Sequence, residues 1–176
     1  MPENISLDSI QMLKERPRYI LTAGGIGSGK SYTLRLYAPS IPVMDVDDVM
    51  AHLGFTDYNN HDNFSLAMDI ISGRINTMML HRECLIAMGT SSSMHYTINK
   101  LFWAKQKGYT TVLVHIDAPV GQCLAQNEER RLKGKRAVEP KDLGRIEQTC
   151  IGSALVAATL SKTDLVDYFC HHQNIR

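Results

Sequence analysis

Short runs of apolar and β-branched residues recur along the chain, separated by longer stretches in which apolar residues return every three or four positions. The runs at 19–23 (YILTA), 41–46 (IPVMDV), 83–89 (ECLIAMG), 110–117 (TTVLVHID) and 164–170 (DLVDYFC) have the length and composition of strands in a buried sheet. Between them, 63–82 places Phe64, Ala67, Met68, Ile71, Ile75, Met78 and Met79 at helical spacing, and 94–107 does likewise. A third helix is expected over 142–160, after the start signal of Pro140, ending in the apolar run IGSALVAATL. Strands alternating with helices predict a parallel sheet built from crossover units, here a three-layer α/β/α sandwich with about five strands. No repeat, low-complexity tract or linker interrupts the pattern, so residues 1–176 read as one domain.

The run at 19–23 leads directly into GGIGSGKS, residues 24–31. Glycine can take positive φ and lets the main chain pass close to a ligand with no Cβ in the way. Gly24, Gly29, Lys30 and Ser31, with Gly25, Ile26, Gly27 and Ser28 between them, fit G-x-x-x-x-G-K-[ST]. In that pattern successive N–H groups cradle a polyphosphate, the lysine reaches its outer phosphates and the hydroxyl binds Mg²⁺. A helix that Tyr32 opens, over 32–37, would turn its positive N-terminal end toward the phosphates. Strand before and helix after are the surroundings the pattern requires. The chain is therefore expected to bind ATP through residues 25–32, with Ser31 as the Mg²⁺ ligand.

Composition narrows the setting. With 176 residues, 44% of them hydrophobic, the chain is long enough for one full α/β core. Its 19 basic and 18 acidic residues leave a formal charge of +1, so any contact with nucleic acid must come from a local patch. The N-terminal stretch MPENISLDSIQMLKERP carries acids and lacks a long apolar core, and no apolar run approaches membrane-spanning length; a soluble, cytoplasmic protein with no membrane partner is expected. Cys84, Cys123, Cys150 and Cys170 are scattered without framework spacing, which predicts reduced thiols. The tail CHHQN suggests metal at first sight, but neighbouring histidines in a strand point to opposite faces, and a strand end is the simpler reading.

In an open parallel sheet the reactive groups collect beyond the carboxyl ends of the strands. At and after the end of 41–46 come Asp45, Asp47 and Asp48; after 83–89 come Thr90 and three serines; after 110–117 a helical pattern runs into RRLKGKR, with Arg130, Arg131, Lys133, Lys135 and Arg136. Phosphoryl transfer to a hydroxyl needs a carboxylate to orient the alcohol, cations on the transferred group and a dry site. An acid past the second strand would lie beside the phosphate loop, and a basic segment near 126–140 could fold over it as a lid. Each feature also has a plainer reading: Asp47 or Asp48 as a helix cap, and RRLKGKR as a solvated helix end.

The order AGGIGSGKS, MDVDDV, GT, WAKQKGYTTVLVHIDAP and RRLKGKRAVEP resembles the P-loop kinases that include bacteriophage polynucleotide kinase and the zeta toxins, over about residues 18–170. The resemblance implies that Asp47 is the general base, with Asp45, Asp48 and Thr90 beside it on the acceptor side. It makes Arg130, Arg131 and Arg136 lid candidates that act with Lys30 on the phosphates, Arg136 in GKRAV being most like the family. The chain departs from the family at Met50, where a base commonly stands, at Gly89, and at Asn127, where the phage enzyme has arginine.

The resemblance thus implies a kinase of a phage-infected bacterium, or of a bacterium itself, using ATP and Mg²⁺ on a nucleotide-bearing acceptor. DNA is the favoured acceptor, through a 5′-hydroxyl or the hydroxymethyl group of a modified base. A zeta-type kinase of UDP-N-acetylglucosamine and a non-catalytic nucleotide-binding regulator remain the alternatives.

Overall fold

Residues 1–14, 17–55 and 60–175 are described in a computed structural model. Among them six strands form one sheet: β1 (Glu3–Asn4), β2 (Arg18–Ala23), β3 (Val43–Met44), β4 (Leu85–Ala87), β5 (Thr110–Asp117) and β6 (Tyr168–Gln173). Every neighbouring pair is parallel, in the order β1-β6-β5-β2-β4-β3. The helices are α1 (Leu7–Ile10), α2 (Lys30–Tyr37), α3 (Val46–His52), α4 (His61–Leu80), α5 (Met94–Gln106), α6 (Val120–Leu132) and α7 (Gly144–Leu160).

The period-two alternation of a strand sorts the core into two layers. Tyr19, Leu21 and Ala23 of β2 and Leu113 of β5 face one way, onto α4, α5 and α7 through Met79, Leu101, Ala104, Val156 and Leu160. Ile20 of β2 and Val112, Val114 and Ile116 of β5 face the other way, onto α1 and α2 through Leu7, Ile10 and Leu34. The result is the three-layer α/β/α sandwich, with helices on both faces of a wholly parallel sheet. The β2–β5 register runs from Arg18 opposite Thr110 to Ala23 opposite His115, and the glycine-rich loop leaves from its carboxyl end. No helix among the described residues is long and apolar enough to cross a membrane.

Several expected boundaries move. The strand expected over 41–46 is reduced to Val43–Met44, because the Asp45 carboxylate accepts a hydrogen bond from the Asp47 N–H at 3.1 Å and caps α3. The strand expected over 164–170 begins at Tyr168 and runs on to Gln173. Before it, the Asp167 carboxylate accepts from the Thr111 N–H at 2.8 Å and pairs with Lys105 at 2.7 Å, so its polar residues anchor a bend. Both histidines of the tail consequently lie inside β6. His171 meets His115 with Nδ1 atoms 3.1 Å apart, while His172 stands by the Tyr37 ring. The sixth strand, β1, comprises two exposed residues that pair through backbone atoms alone and carry no apolar pattern. The helix expected from 142 starts at Gly144, after a 3₁₀ turn over Pro140–Asp142.

Candidate functional site

The glycine-rich loop is built by close approach. A Cβ on Gly25 would stand 2.1 Å from Cys150 Sγ of α7, so only glycine lets the loop lie on that helix. Gly29 is the N-cap of α2 at φ 87°, a conformation that suits glycine and turns the first N–H groups of α2 toward the loop's interior. Two side chains fasten the loop from outside: Thr149 Oγ1 accepts from the Ile26 N–H at 3.0 Å, and Asn174 Nδ2 donates to the Ser28 carbonyl at 2.7 Å. Neither carries a sequence signal, since 123 and 146 residues separate the partners.

Lys30 folds into the loop, its Nζ donating to the carbonyls of Gly24 at 2.9 Å and Gly25 at 2.7 Å. Loss of hydration pulls its ammonium down to about 8, with the nearby Arg130 guanidinium acting in the same direction. An ammonium poorly hydrated and beside another cation is a receptor for anions. Ser31 Oγ donates to Asp45 Oδ2 at 2.7 Å, and the other oxygen of Asp45 caps α3. That nearly buried carboxylate beside a serine hydroxyl is an oxygen donor set of the kind Mg²⁺ takes. Backbone donors, lysine, hydroxyl and carboxylate together fit a Mg²⁺–nucleotide polyphosphate.

The three acids of MDVDDV have three different partners. Asp45 meets Ser31, Asp48 pairs with Arg35 of α2, and Asp47 accepts from Arg136 Nη1 at 2.7 Å. Arg136 lies over the Phe64 ring of α4, its guanidinium carbon 4.7 Å from the ring centroid, so aromatic face and carboxylate hold it from two sides. Met50, where the resembling family has a base, is fully buried with Val49, Ala67 and Ile71 between α3 and α4. Thr90 contributes its carbonyl, which accepts from the Gly24 N–H at 3.0 Å, and its hydroxyl lies 3.1 Å from that of Ser92.

The basic segment divides. Arg130 lies near enough to Lys30 to lower its proton affinity. Arg131 turns outward, held by Glu128 of its own helix at 2.6 and 2.8 Å, and Lys133 pairs likewise with Glu129. The chain then reverses at Gly134 and brings Arg136 back to the acids. Tyr32, in the first turn of α2, is 63% exposed. Sequence reasoning also passed over Phe64, which reads as one more apolar position of α4.

No protein-family model and no curated protein sequence matches this chain. Solved structures do match its fold. A chain of the PezAT chromosomal toxin-antitoxin system of Streptococcus pneumoniae aligns with a TM-score of 0.71 at 15% identity, covering 96% of this chain and 74% of that one. A chain of the Pnkp1/Rnl/Hen1 RNA repair complex aligns at 0.67 and 15% identity, covering 88% of this chain and 48% of that one. A chain of the AvrRxo1-ORF1:-ORF2 complex with ATP aligns at 0.65 and 16% identity, covering 94% and 56%. This chain therefore spans about half the length of two of these neighbours. What the chain shares with them is the fold, a wholly parallel sheet with helices on both faces.

Proposed function

We propose that the protein is an ATP-dependent kinase that transfers the γ-phosphoryl group to a hydroxyl of a nucleotide-bearing acceptor. The contact that carries this reading is Arg136 on Asp47 at 2.7 Å, which joins the basic segment to an acid beside the phosphate loop. A nucleotide-binding regulator needs Lys30 and Ser31 but has no use for a carboxylate with a cation set against it. In the proposed reaction Asp47 orients the acceptor hydroxyl and takes its proton, and Arg136 moves onto the transferring group. Lys30 holds the outer phosphates. Ser31 and Asp45 would hold Mg²⁺, which when bound neutralises charge on the phosphoryl oxygens. The Ser31–Asp45 contact extends the proposed metal site from the hydroxyl to the first acid of MDVDDV.

DNA is the proposed acceptor, through a 5′-hydroxyl or the hydroxymethyl group of a modified base. The compact run Arg130 to Arg136 supports it, being the one strongly basic stretch in a chain of net charge +1. The test supplies ATP labelled at the γ-phosphorus, with Mg²⁺, to a 5′-hydroxyl oligonucleotide, an oligonucleotide carrying a hydroxymethylated base, and UDP-N-acetylglucosamine. Label on DNA that disappears with Asp47→Asn supports the proposal. Label confined to the sugar nucleotide replaces the acceptor, and no transfer to any of them returns the chain to a nucleotide-binding regulator.

A further inference from the structure

Asn127 stands in the middle of α6, where asparagine is a poor helix former, and it is 2% exposed. A buried amide must find partners for both its donor and its acceptor. It finds both on one residue: Nδ2 donates to the Val138 carbonyl at 3.0 Å, and Oδ1 accepts from the Val138 N–H at 2.7 Å. The side chain thus imitates a strand partner and closes the loop 127–138 on itself. Inside that loop lie Arg130, Arg131, Lys133, Lys135 and Arg136.

The closure has a direction. Val138 packs its side chain into the small cluster of Ala118, Cys123 and Ile146, next to Ile26 of the phosphate loop, so the latch is anchored to the floor of the nucleotide cradle. Arg136 precedes Val138 by two residues, a reach of about 7 Å at most. Fixing the Val138 backbone therefore confines where the Arg136 guanidinium can go. Without the latch, the returning segment would keep the Lys135 N–H on the Arg130 carbonyl, the turn at Gly134, φ 63°, and the Arg136 side-chain contacts with Asp47 and Phe64, but would lose both hydrogen bonds that hold the Val138 backbone to α6.

We propose that Asn127 is the positioning residue of the lid, pinning Val138 so that Arg136 is delivered to Asp47 and to the transferring phosphoryl group. The inference rests on the kinase reading for its catalytic consequence, but not for the latch itself. It also accounts for a departure from the resembling family: an arginine at position 127 could not offer Val138 an acceptor, whereas asparagine supplies donor and acceptor together.

Two measurements test it on the full chain. The first is limited trypsin digestion, since the loop carries five basic residues. Asn127→Ala should be cut within 130–136 at least about tenfold faster than wild type, with the melting temperature of the whole protein little changed, because cleavage follows the open population of the loop. Equal cutting rates overturn the latch. The second is a cycle with Arg136→Ala in the transfer assay. Asn127→Ala alone should lower kcat by about 10²-fold, the cost of a small misplacement, with KM for ATP within about threefold. In the Arg136→Ala background the same change should cost less than about twofold, because its effect runs through that arginine. An undiminished loss in that background overturns the positioning role. If wild type transfers phosphate to no acceptor, the kinase reading fails, and the trypsin comparison still decides whether Asn127 holds the loop.

Discussion

Asp47 and Arg136 lie 89 residues apart in the chain, and their side chains meet at 2.7 Å. One stands in the first turn of α3 and the other on the segment that follows α6, so the contact exists only because α3 starts immediately after β3 and the chain folds back at Gly134. It places an acid and a cation opposite each other two residues along the chain from Asp45, which accepts from Ser31.

The acids of MDVDDV should separate by substitution. Asp47→Asn should leave ATP affinity within a few fold and lower transfer by about 10²–10⁴, the usual contribution of a general base. Asp45→Asn should raise the Mg²⁺ concentration needed for half-maximal activity while stability stays nearly constant, since asparagine caps a helix about as well as aspartate. Calorimetric ATP titration beside single-turnover transfer checks both. Identical behaviour of the two variants would refute the division of roles.

Nucleotide affinity should fall with rising pH. The Lys30 ammonium is held at about 8 in the nucleotide-free protein, whereas polyphosphate stabilises its charged form. Below that value the charge is already present. Above it, binding must restore a proton, so affinity should decline by up to about tenfold per pH unit. Titrations at pH 7, 8 and 9 measure the slope, and Lys30→Met should both weaken binding and flatten it. A flat wild-type profile would mean that the lysine keeps its proton throughout.

Arginine substitutions should rank by partner. Arg136→Ala should lower kcat by about 10³ or more, on the scale of an arginine finger. Arg131→Ala should change transfer by less than about twofold, because its partner is Glu128 of its own helix in a solvent-exposed ion pair, a kind that contributes little. Steady-state kinetics of the pair is sufficient, and a larger loss at Arg131 would place the lid differently.

Gly25→Ala should destabilise the protein by about 1–3 kcal/mol, the range for overpacking, as its Cβ would collide with Cys150 Sγ. Adding Cys150→Ala should recover much of the loss. Thermal unfolding of the single and double variants tests it: failure of the second change to rescue would assign the strain to the loop backbone instead.

The phosphate loop was legible in the sequence because its geometry is local. Eight contiguous residues carry the backbone conformations, the lysine and the hydroxyl, and the apolar run before them and the helix after them announce where they sit. The alternation of apolar runs with helical periodicity was equally sufficient for a parallel three-layer sandwich, since burial on both faces of a sheet leaves a continuous trace in each strand. Where that trace is missing the reading fell short: β1 consists of two exposed residues, and β3 stops at Met44 because a capping carboxylate ends it.

The long-range partnerships among the side chains were decided by the tertiary structure. MDVDDV contains three acids that propensity cannot rank, and only the onset of α3 turns Asp45 to Ser31, Asp47 to Arg136 and Asp48 to Arg35. The five cations of RRLKGKR are alike in composition, yet helical spacing pairs Arg131 with Glu128 within α6 while the turn at Gly134 brings Arg136 to Asp47. Asn127 and Thr149 are ordinary polar residues until α6 and α7 carry them against Val138 and Ile26. Local sequence dictates backbone conformation within a few residues, whereas a hydrogen bond across 11, 89 or 123 residues depends on how the elements stack.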